Sequence, residues 1–254
     1  MGKPWHTFES PSCIGLDIPV PNRRMAKRWQ GSKPDGPQKK AKTAKTKVEV
    51  AEGERGFLVT GSTCQEALRG LKDLRLWLEV EAEEVKHAGS VPASLDAELA
   101  DLRCDPADRR FVTVGMVCKQ VAFLRVQHEG DVPSRLVSRF LAPAAPKRFA
   151  SRWADRVLPV DWSVHPKADS FKRLAKDALL SHAGRPWRLL YEPFRGGWNT
   201  ISKEDALEAC KENLGVDYHS VAAPEITVVC TVQPRFVGLA VVDIDTDYLR
   251  VEDG

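Results

Sequence analysis

Apolar residues in the first half of the chain form short β-branched runs that alternate with segments of helical spacing. The run at 56–61 predicts a buried strand, and the runs at 111–117 and 121–126 predict the two strands of a hairpin. A fourth strand is predicted near 155–160, where the sequence reads DRVLPV. Strands are favoured at these places because β-branched side chains fit a pleated, half-buried surface.

Two amphipathic helices are predicted between these strands. The first follows a capping-box pattern, formed either by Ser62 and Gln65 or by Thr63 and Glu66, and the second has Pro133 in its first turn. The resulting order is βαββαβ, the ferredoxin-like arrangement. The apolar residues expected to face the core are Ala67, Leu71, Leu74 and Leu78 in the first helix and Leu136, Val137, Phe140 and Leu141 in the second.

The second half of the chain has its own order of elements, αβαββ. Asp169 is predicted to cap a basic amphipathic helix, and Ser202 is predicted to cap another helix. Strands are predicted at 187–192, 225–232 and 235–242. We therefore expect an α+β protein with two consecutive domains.

The two ends of the chain lack a periodic apolar pattern. Residues 1–54 are rich in Pro, Gly and Lys and are predicted to form a disordered basic tail, and the acidic end at 247–254 is predicted to fray. Basic clusters within 27–42 resemble a bipartite nuclear-import signal. They predict a nuclear or nucleolar protein, with a cytoplasmic pool left open, and a basic arm that adds affinity for RNA is the alternative.

The net charge of +3 is distributed unevenly along the 254 residues. Residues 144–200 carry +6, from 11 Lys/Arg against 5 Asp/Glu, and residues 201–254 carry −7. Residues 1–55 carry +6 and residues 56–143 carry −2. Basic blocks of this kind favour a polyanionic partner, although a solvated surface with chance clustering fits the same pattern.

The second basic block predicts a surface that holds a nucleic-acid backbone, because phosphate contacts need cations and no base-specific pattern. Trp198 is predicted either to stack on an unpaired base or to cap the core, whereas Trp162 and Trp187 are predicted to be core residues. The candidate RNA-binding residues are Lys147, Arg148, Arg152, Arg156, Lys172, Arg173, Lys176, Arg185, Arg188, Arg195 and Trp198.

Motifs of catalysis and metal binding are absent from the sequence. It has no P-loop, no glycine-rich dinucleotide turn, no His-Glu-x-x-His helix and no Gly-x-Ser-x-Gly elbow, and its six cysteines are scattered. No apolar run reaches the length of about 18 residues that spans a bilayer, so no membrane association is predicted. We expect no catalytic residue and no metal ligand, while an RNA-modifying enzyme with a dispersed site stays open.

Several segments resemble the family of eukaryotic THUMP-domain proteins that serve as tRNA-binding adaptors for cytidine acetylation. RGFLVTGSTCQEAL (55–68) is similar to the family's opening strand and helix, and FVTVGMVCKQVAFLRV (111–126) is similar to its hairpin. RVLPVDWSVHPKADSFKRLAKDAL (156–179) resembles the start of the THUMP domain. The segments at 187–218 and 225–232 resemble its central and closing strands.

The resemblance implies a ferredoxin-like domain at 55–145, followed by a THUMP domain at 146–246 that grips the acceptor end of a tRNA. Such an adaptor has no cofactor of its own and presents tRNA to a separate RNA cytidine acetyltransferase, which uses acetyl-CoA and ATP to form N4-acetylcytidine in the D-arm. Glu192 departs from the family's pattern, which has a basic or neutral residue there, and segment 79–108 does not match. A protein-interaction scaffold that uses the acidic residues 201–254 and binds no RNA is a further alternative.

Overall fold

A computed structural model describes residues 50–87, 109–143, 145, 147–194, 200–215, 224–243 and 246–251. The strands are β1 (Gly56–Thr60), β2 (Phe111–Cys118), β3 (Val121–Val126), β4 (Arg156–Val160), β5 (Trp162–Val164), β6 (Trp187–Pro193), β7 (Ile226–Val232) and β8 (Val237–Val242). The helices are α1 (Cys64–His87), α2 (Pro133–Leu141), α3 (Ala168–Leu179) and α4 (Lys203–Leu214). None of these helices is both long and apolar enough to cross a membrane. The predicted import signal lies outside the described residues.

The first sheet has the strand order β2-β3-β1-β4, with every neighbouring pair antiparallel. Helices α1 and α2 connect its strands, so the predicted ferredoxin-like βαββαβ fold is confirmed. Of the two capping boxes considered, the one formed by Thr63 and Glu66 precedes α1. Because β4 pairs with β1, with Leu158 opposite Leu58, this sheet extends beyond the predicted boundary after residue 145.

The second sheet has the order β5-β8-β7-β6, in which only the pair β6 and β7 is parallel. Its elements follow the predicted order αβαββ, so the predicted α+β fold class, with a second sheet after the first, is confirmed. The short edge strand β5 was not predicted, because three residues are too few to show the alternation of apolar and polar side chains that marks a strand.

The two helices of the second half begin differently. The side chains and backbone N–H groups of Ser202 and Asp205 form a reciprocal capping box at the start of α4, as predicted for Ser202. The residue before α3 is Lys167, and Asp169 lies within the first helical turn. The prediction that Asp169 caps α3 is therefore wrong, because the chain turns into the helix earlier than the first favourable capping residue.

β7 and β8 are buried on both faces, which explains their continuous apolar sequences. Val228 packs with α3 and α4, while Val229 packs into the core of the first sheet. The rings of Phe123 and Phe236, one from each half, have centroids 6.2 Å apart. The two sheets therefore share a core, within the single compact unit Lys45–Gly254.

Two predictions about the ends of the chain are wrong for the described residues. Val50 is buried, and the Ser163 hydroxyl of β5 donates a hydrogen bond to the carbonyl of Glu54 (2.7 Å), so residues 50–54 are held by the fold. Leu249 is fully buried, so the acidic end does not fray at this point. In both cases an apolar side chain reaches the core from a polar stretch of sequence.

The two tryptophans predicted to be core residues have different positions. Trp187, at the start of β6, is fully buried against α3 and α4, as predicted. Trp162 is 37% exposed, so its prediction is wrong. The reason is that Trp162 begins the edge strand β5, where the sheet has no further strand to cover it.

Candidate nucleic-acid interface

A cleft with a volume of about 770 Å³ opens between the two sheets, next to the end of β1 and the turn between β2 and β3. Its other walls are the start of β4, the end of β6 and the C-terminal segment after residue 249. Among the described residues, four cations against two carboxylates line the cleft, and this positive balance suits a polyanion. The described charged residues that line it are Lys119, Arg152, Asp155, Arg156, Glu192 and Arg250.

Arg156 and Glu192 form an ion pair that joins β4 of the first sheet to β6 of the second. Arg156 Nη1 lies 2.7 Å from Glu192 Oε2, and the two side chains are 30% and 29% exposed. This pair gives a physical reason for the departure at Glu192 from the expected sequence pattern. Its carboxylate neutralises an arginine that the sequence predicts to bind phosphate.

Two arginine side chains contact the ring of Trp153 beside the cleft. The guanidinium carbons of Arg69 and Arg152 are each 4.6 Å from the centroid of the Trp153 ring. A cation over an aromatic face contributes about 0.5–1 kcal/mol at an exposed site. The stack therefore orders two arginines, and the predicted set contains neither Arg69 nor Trp153.

The segment 151–154 that carries this stack is packed tightly against α1. The Ser151 hydroxyl donates a hydrogen bond to Asp73 of α1 (2.8 Å). Gly70 approaches Ala154 so closely that a Cβ at Gly70 would lie 2.8 Å from the Cβ of Ala154. Because only glycine permits this approach, the position of Arg152 is fixed by the packing of the segment on the helix.

The C-terminal segment brings Arg250 into the cleft. Arg250 pairs with Arg156 in an antiparallel bridge, and the Val251 N–H donates to the carbonyl of Asp155 (3.1 Å). The buried Leu249 anchors the segment in the core of the first sheet. Lys119 and Arg250 were outside the predicted set because each stands in an acidic part of the sequence, and only the fold places them beside the basic block.

A second cationic region lies on the solvent side of α3, and we call it the α3 surface. It consists of the exposed side chains of Lys172, Arg173 and Lys176. Lys172 Nζ is 4.0 Å from Glu208 Oε2 of α4, with 48% and 61% of the two side chains exposed. The opposite face of α3, which includes Phe171, is buried, as the helical spacing predicts.

The side chain of Arg185 lies near two carboxylates. Its Nε is 3.3 Å from Glu225 Oε2, and its Nη2 is 3.2 Å from Asp243 Oδ1. Burial, and then the charge of Arg185, lower the pKa of His182, so that ring is neutral near pH 7. The predicted phosphate ligand Arg185 is therefore largely neutralised by its own chain.

The other predicted residues are spread over the structure. Lys147 Nζ lies 3.6 Å from Glu81 Oε1 of α1, and Arg148 and Arg188 are half-buried. Arg195 and Trp198 lie outside the described residues. The structure thus brings Arg152 and Arg156 together in the cleft and keeps the α3 surface as a separate group. The roles of all these residues in RNA binding stay predictions.

Three of the described thiols have pKa values raised by burial. Burial raises the pKa of Cys118 to about 11 and that of Cys210 to about 12, and it also raises the pKa of Cys230. These thiols are protonated and unreactive near neutral pH. In the part of the chain that the structure describes, no group of three or more His, Cys, Asp or Glu side chains has an arrangement that fits a metal ion.

Comparison with known proteins gives likenesses of structure alone. No protein-family model matches the chain, and no curated protein matches its sequence. A 4-thiouridine synthetase solved in complex with RNA and bound ATP is similar with a TM-score of 0.36 and 13% identity, over 75% of this chain and 42% of that one. PH1313 from Pyrococcus horikoshii Ot3 is similar with a TM-score of 0.38 and 9% identity, over 74% of this chain and 55% of that one. The chain thus spans about half the length of the solved chains it matches.

Proposed function

We propose that this chain binds RNA through the cleft and acts in the modification of tRNA. The observation that supports the proposal best is the convergence of Lys119, Arg152, Arg156 and Arg250 on one concave surface. These cations come from three separate segments, since only Arg152 and Arg156 are close in sequence, so the fold brings Lys119 and Arg250 to the basic block. Cations in a cleft with low-dielectric walls concentrate positive potential, which attracts a phosphate backbone.

In this proposal the cleft and the α3 surface have different roles in RNA binding. Phosphate contacts fix the register and orientation of a nucleic acid without reading its sequence. In the cleft, Arg152 is held by its stack on Trp153 and by the packing of 151–154 on α1, and Arg156 is held by its ion pair with Glu192. The exposed α3 surface adds charge that increases affinity and the rate of encounter.

We further propose that the chain is the tRNA-binding adaptor of a separate RNA cytidine acetyltransferase. The support is the resemblance of segments such as 156–179 and 187–218 to that family, together with the order βαββαβ followed by αβαββ. In this proposal the partner enzyme uses acetyl-CoA and ATP to form N4-acetylcytidine in the D-arm of tRNA. This chain binds and orients the tRNA, without a cofactor of its own, in the nucleus or nucleolus.

The test is deletion of the gene, followed by mass spectrometry of tRNA nucleosides. We expect N4-acetylcytidine to disappear from tRNA and to return when the gene is restored. Filter binding with purified full-length chain should show tRNA binding at low salt. Unchanged N4-acetylcytidine in the deletion strain would contradict the adaptor proposal, and failure to bind tRNA would contradict the RNA-binding proposal itself.

Two outcomes would favour the rival functions. Modified tRNA formed by the purified chain with acetyl-CoA or S-adenosylmethionine, without a second protein, would indicate an RNA-modifying enzyme with a dispersed site. A chain that binds a protein through the acidic residues 201–254 and ignores tRNA would be a scaffold.

A further inference from the structure

We infer that Glu192 is a selectivity residue that competes with RNA phosphates for Arg156 in the cleft. The inference rests on the proposed function, because it concerns which polyanions the cleft accepts. An RNA whose phosphates match the positions of the cleft cations displaces Glu192 from Arg156. A polyanion whose phosphates do not match these positions leaves Glu192 in place.

The geometry places a carboxylate where a phosphate would bind. Glu192 Oε2 lies 2.7 Å from Arg156 Nη1, and both residues line the cleft. Carboxylate and phosphate oxygens use the same N–H donors of a guanidinium, so the two groups compete for Arg156. With 29% of its side chain exposed, Glu192 can turn towards solvent when a phosphate takes its place.

The other cations of the cleft differ from Arg156 in this respect. Among the described residues, Lys119, Arg152 and Arg250 take part in no ion pair, and Arg152 stacks on Trp153 instead. A polyanion reaches these three cations without displacing a carboxylate. A contact with Arg156 forms only if the ligand places a phosphate well enough to replace Glu192.

Selectivity follows from this difference. A folded RNA of the right shape engages Arg156 and the three other cations together, so the gain from several contacts offsets the displacement of Glu192. A flexible polyanion that does not displace Glu192 gains no contact with Arg156 and binds only the three other cations. Repulsive elements of this kind increase discrimination between ligands and lower the affinity for all of them.

The experiment compares the full-length chain with its Glu192→Gln variant in filter binding to tRNA and to poly-U of matched length. We expect Glu192→Gln to bind poly-U about tenfold more tightly and tRNA only about threefold more tightly, because the amide removes the charge that repels phosphate. Thermal unfolding is measured in parallel, and loss of the ion pair should lower Tm slightly. If Glu192 competes with phosphate, the variant binds RNA more tightly although it is slightly less stable. If Glu192 had only a structural role, the variant would lose both RNA affinity and thermal stability.

Glu79→Gln is the matched control. Glu79 pairs with Arg75 on α1 at 2.8 Å, with 27% and 33% of the Arg75 and Glu79 side chains exposed, which is close to the geometry of the Arg156 pair. It lies outside the cleft lining, so Glu79→Gln should leave both affinities unchanged. Equal, absent or reversed changes with Glu192→Gln would overturn the inference and leave RNA binding intact. A wild-type chain that binds no tRNA would instead overturn the proposed function.

Discussion

In the cleft, Arg156 is 30% exposed and paired at 2.7 Å, whereas on the α3 surface Lys172 is 48% exposed and 4.0 Å from the carboxylate of Glu208. Arg152 is further held by its stack on Trp153. Arg156 is therefore held by a residue of another element and Arg152 by the adjacent Trp153, while the exposed cations of the α3 surface keep the freedom of long side chains in water.

The difference teaches that equal charge does not imply equal function. Flexible exposed cations contribute affinity that depends strongly on salt and hardly on the shape of the ligand. Cations in fixed positions favour ligands whose phosphates match those positions, because little further ordering is needed on binding. We expect the cleft to select the RNA and the α3 surface to hold it.

The largest expected effect comes from Arg156→Glu. This change removes a cation from the cleft and sets a second carboxylate beside Glu192. Hydrogen bonds to charged groups contribute about 1.5–3 kcal/mol, so the Kd for tRNA should rise about 10- to 100-fold in filter binding at low salt. The double variant Arg156→Glu with Glu192→Arg, which restores an ion pair, is the control for folding. An unaltered Kd in Arg156→Glu would exclude the cleft as the binding site.

The next effect tests whether packing fixes the cleft wall. Gly70→Ala should lower the free energy of unfolding by about 1–3 kcal/mol, because its Cβ would overlap Ala154. This is the opposite of the usual gain of about 1 kcal/mol when alanine replaces glycine in a helix. Urea unfolding measures it, and Lys72→Ala on the exposed side of α1 is the control, with a change within about 0.5 kcal/mol. A more stable Gly70→Ala variant would show that the wall can move.

A smaller effect is expected on the α3 surface. The double variant Lys172→Glu with Arg173→Glu should weaken tRNA binding about tenfold and leave the fold intact, because both side chains are exposed. If the wild type binds six to eight phosphates, its affinity should fall about a thousandfold from 50 to 200 mM salt. The variant's slope of log affinity against log salt should be smaller by about 1 for each phosphate that it no longer binds.

The control for this variant is a matched charge reversal elsewhere. Arg135→Glu with Arg139→Glu changes two exposed cations of α2, which lie in neither cationic region. We expect a clearly weaker loss of affinity from this pair. The same loss from both variants would mean that net charge alone, and not the α3 surface, decides the affinity.

The smallest effect concerns pH and the junction between the sheets. Burial raises the pKa of Asp161, although hydrogen bonds from Ser134 and from the Val241 backbone oppose the shift. A raised folded pKa means that the contribution of Asp161 to stability is full below the ordinary value of 3.8 and falls as pH rises through the folded pKa. Relative to wild type, Asp161→Asn should therefore gain stability as pH rises through this window, measured by urea unfolding. A constant difference across pH would contradict a raised pKa.

The order of elements was readable from the sequence because each element carries a local signal. Ala67, Leu71 and Leu74 recur at helical spacing and are all buried in α1. The capping box at Ser202 and the β-branched run of β7 lie where the pattern predicts them. Local signals fail where an element is very short, as β5 is, or where a single apolar residue such as Leu249 decides the packing.

The candidate site was readable only in part. Arg152 and Arg156 belong to a basic block, so charge clustering pointed to them. Lys119 and Arg250 belong to the two blocks of net negative charge, 56–143 and 201–254, and reach the cleft through the β2–β3 turn and the C-terminal bridge. The same pattern did not show that Arg185 lies beside Glu225 and Asp243, because these carboxylates are distant from it in sequence.

By itself the sequence determined the fold class, the order of the elements and the presence of two basic blocks, since these depend on periodicity and composition along the chain. Tertiary structure alone decided which cations meet in one cleft and which of them, such as Arg156, is held by a carboxylate. The reason is physical: a hydrophobic period acts between neighbours in sequence, whereas electrostatic pairing acts between neighbours in space.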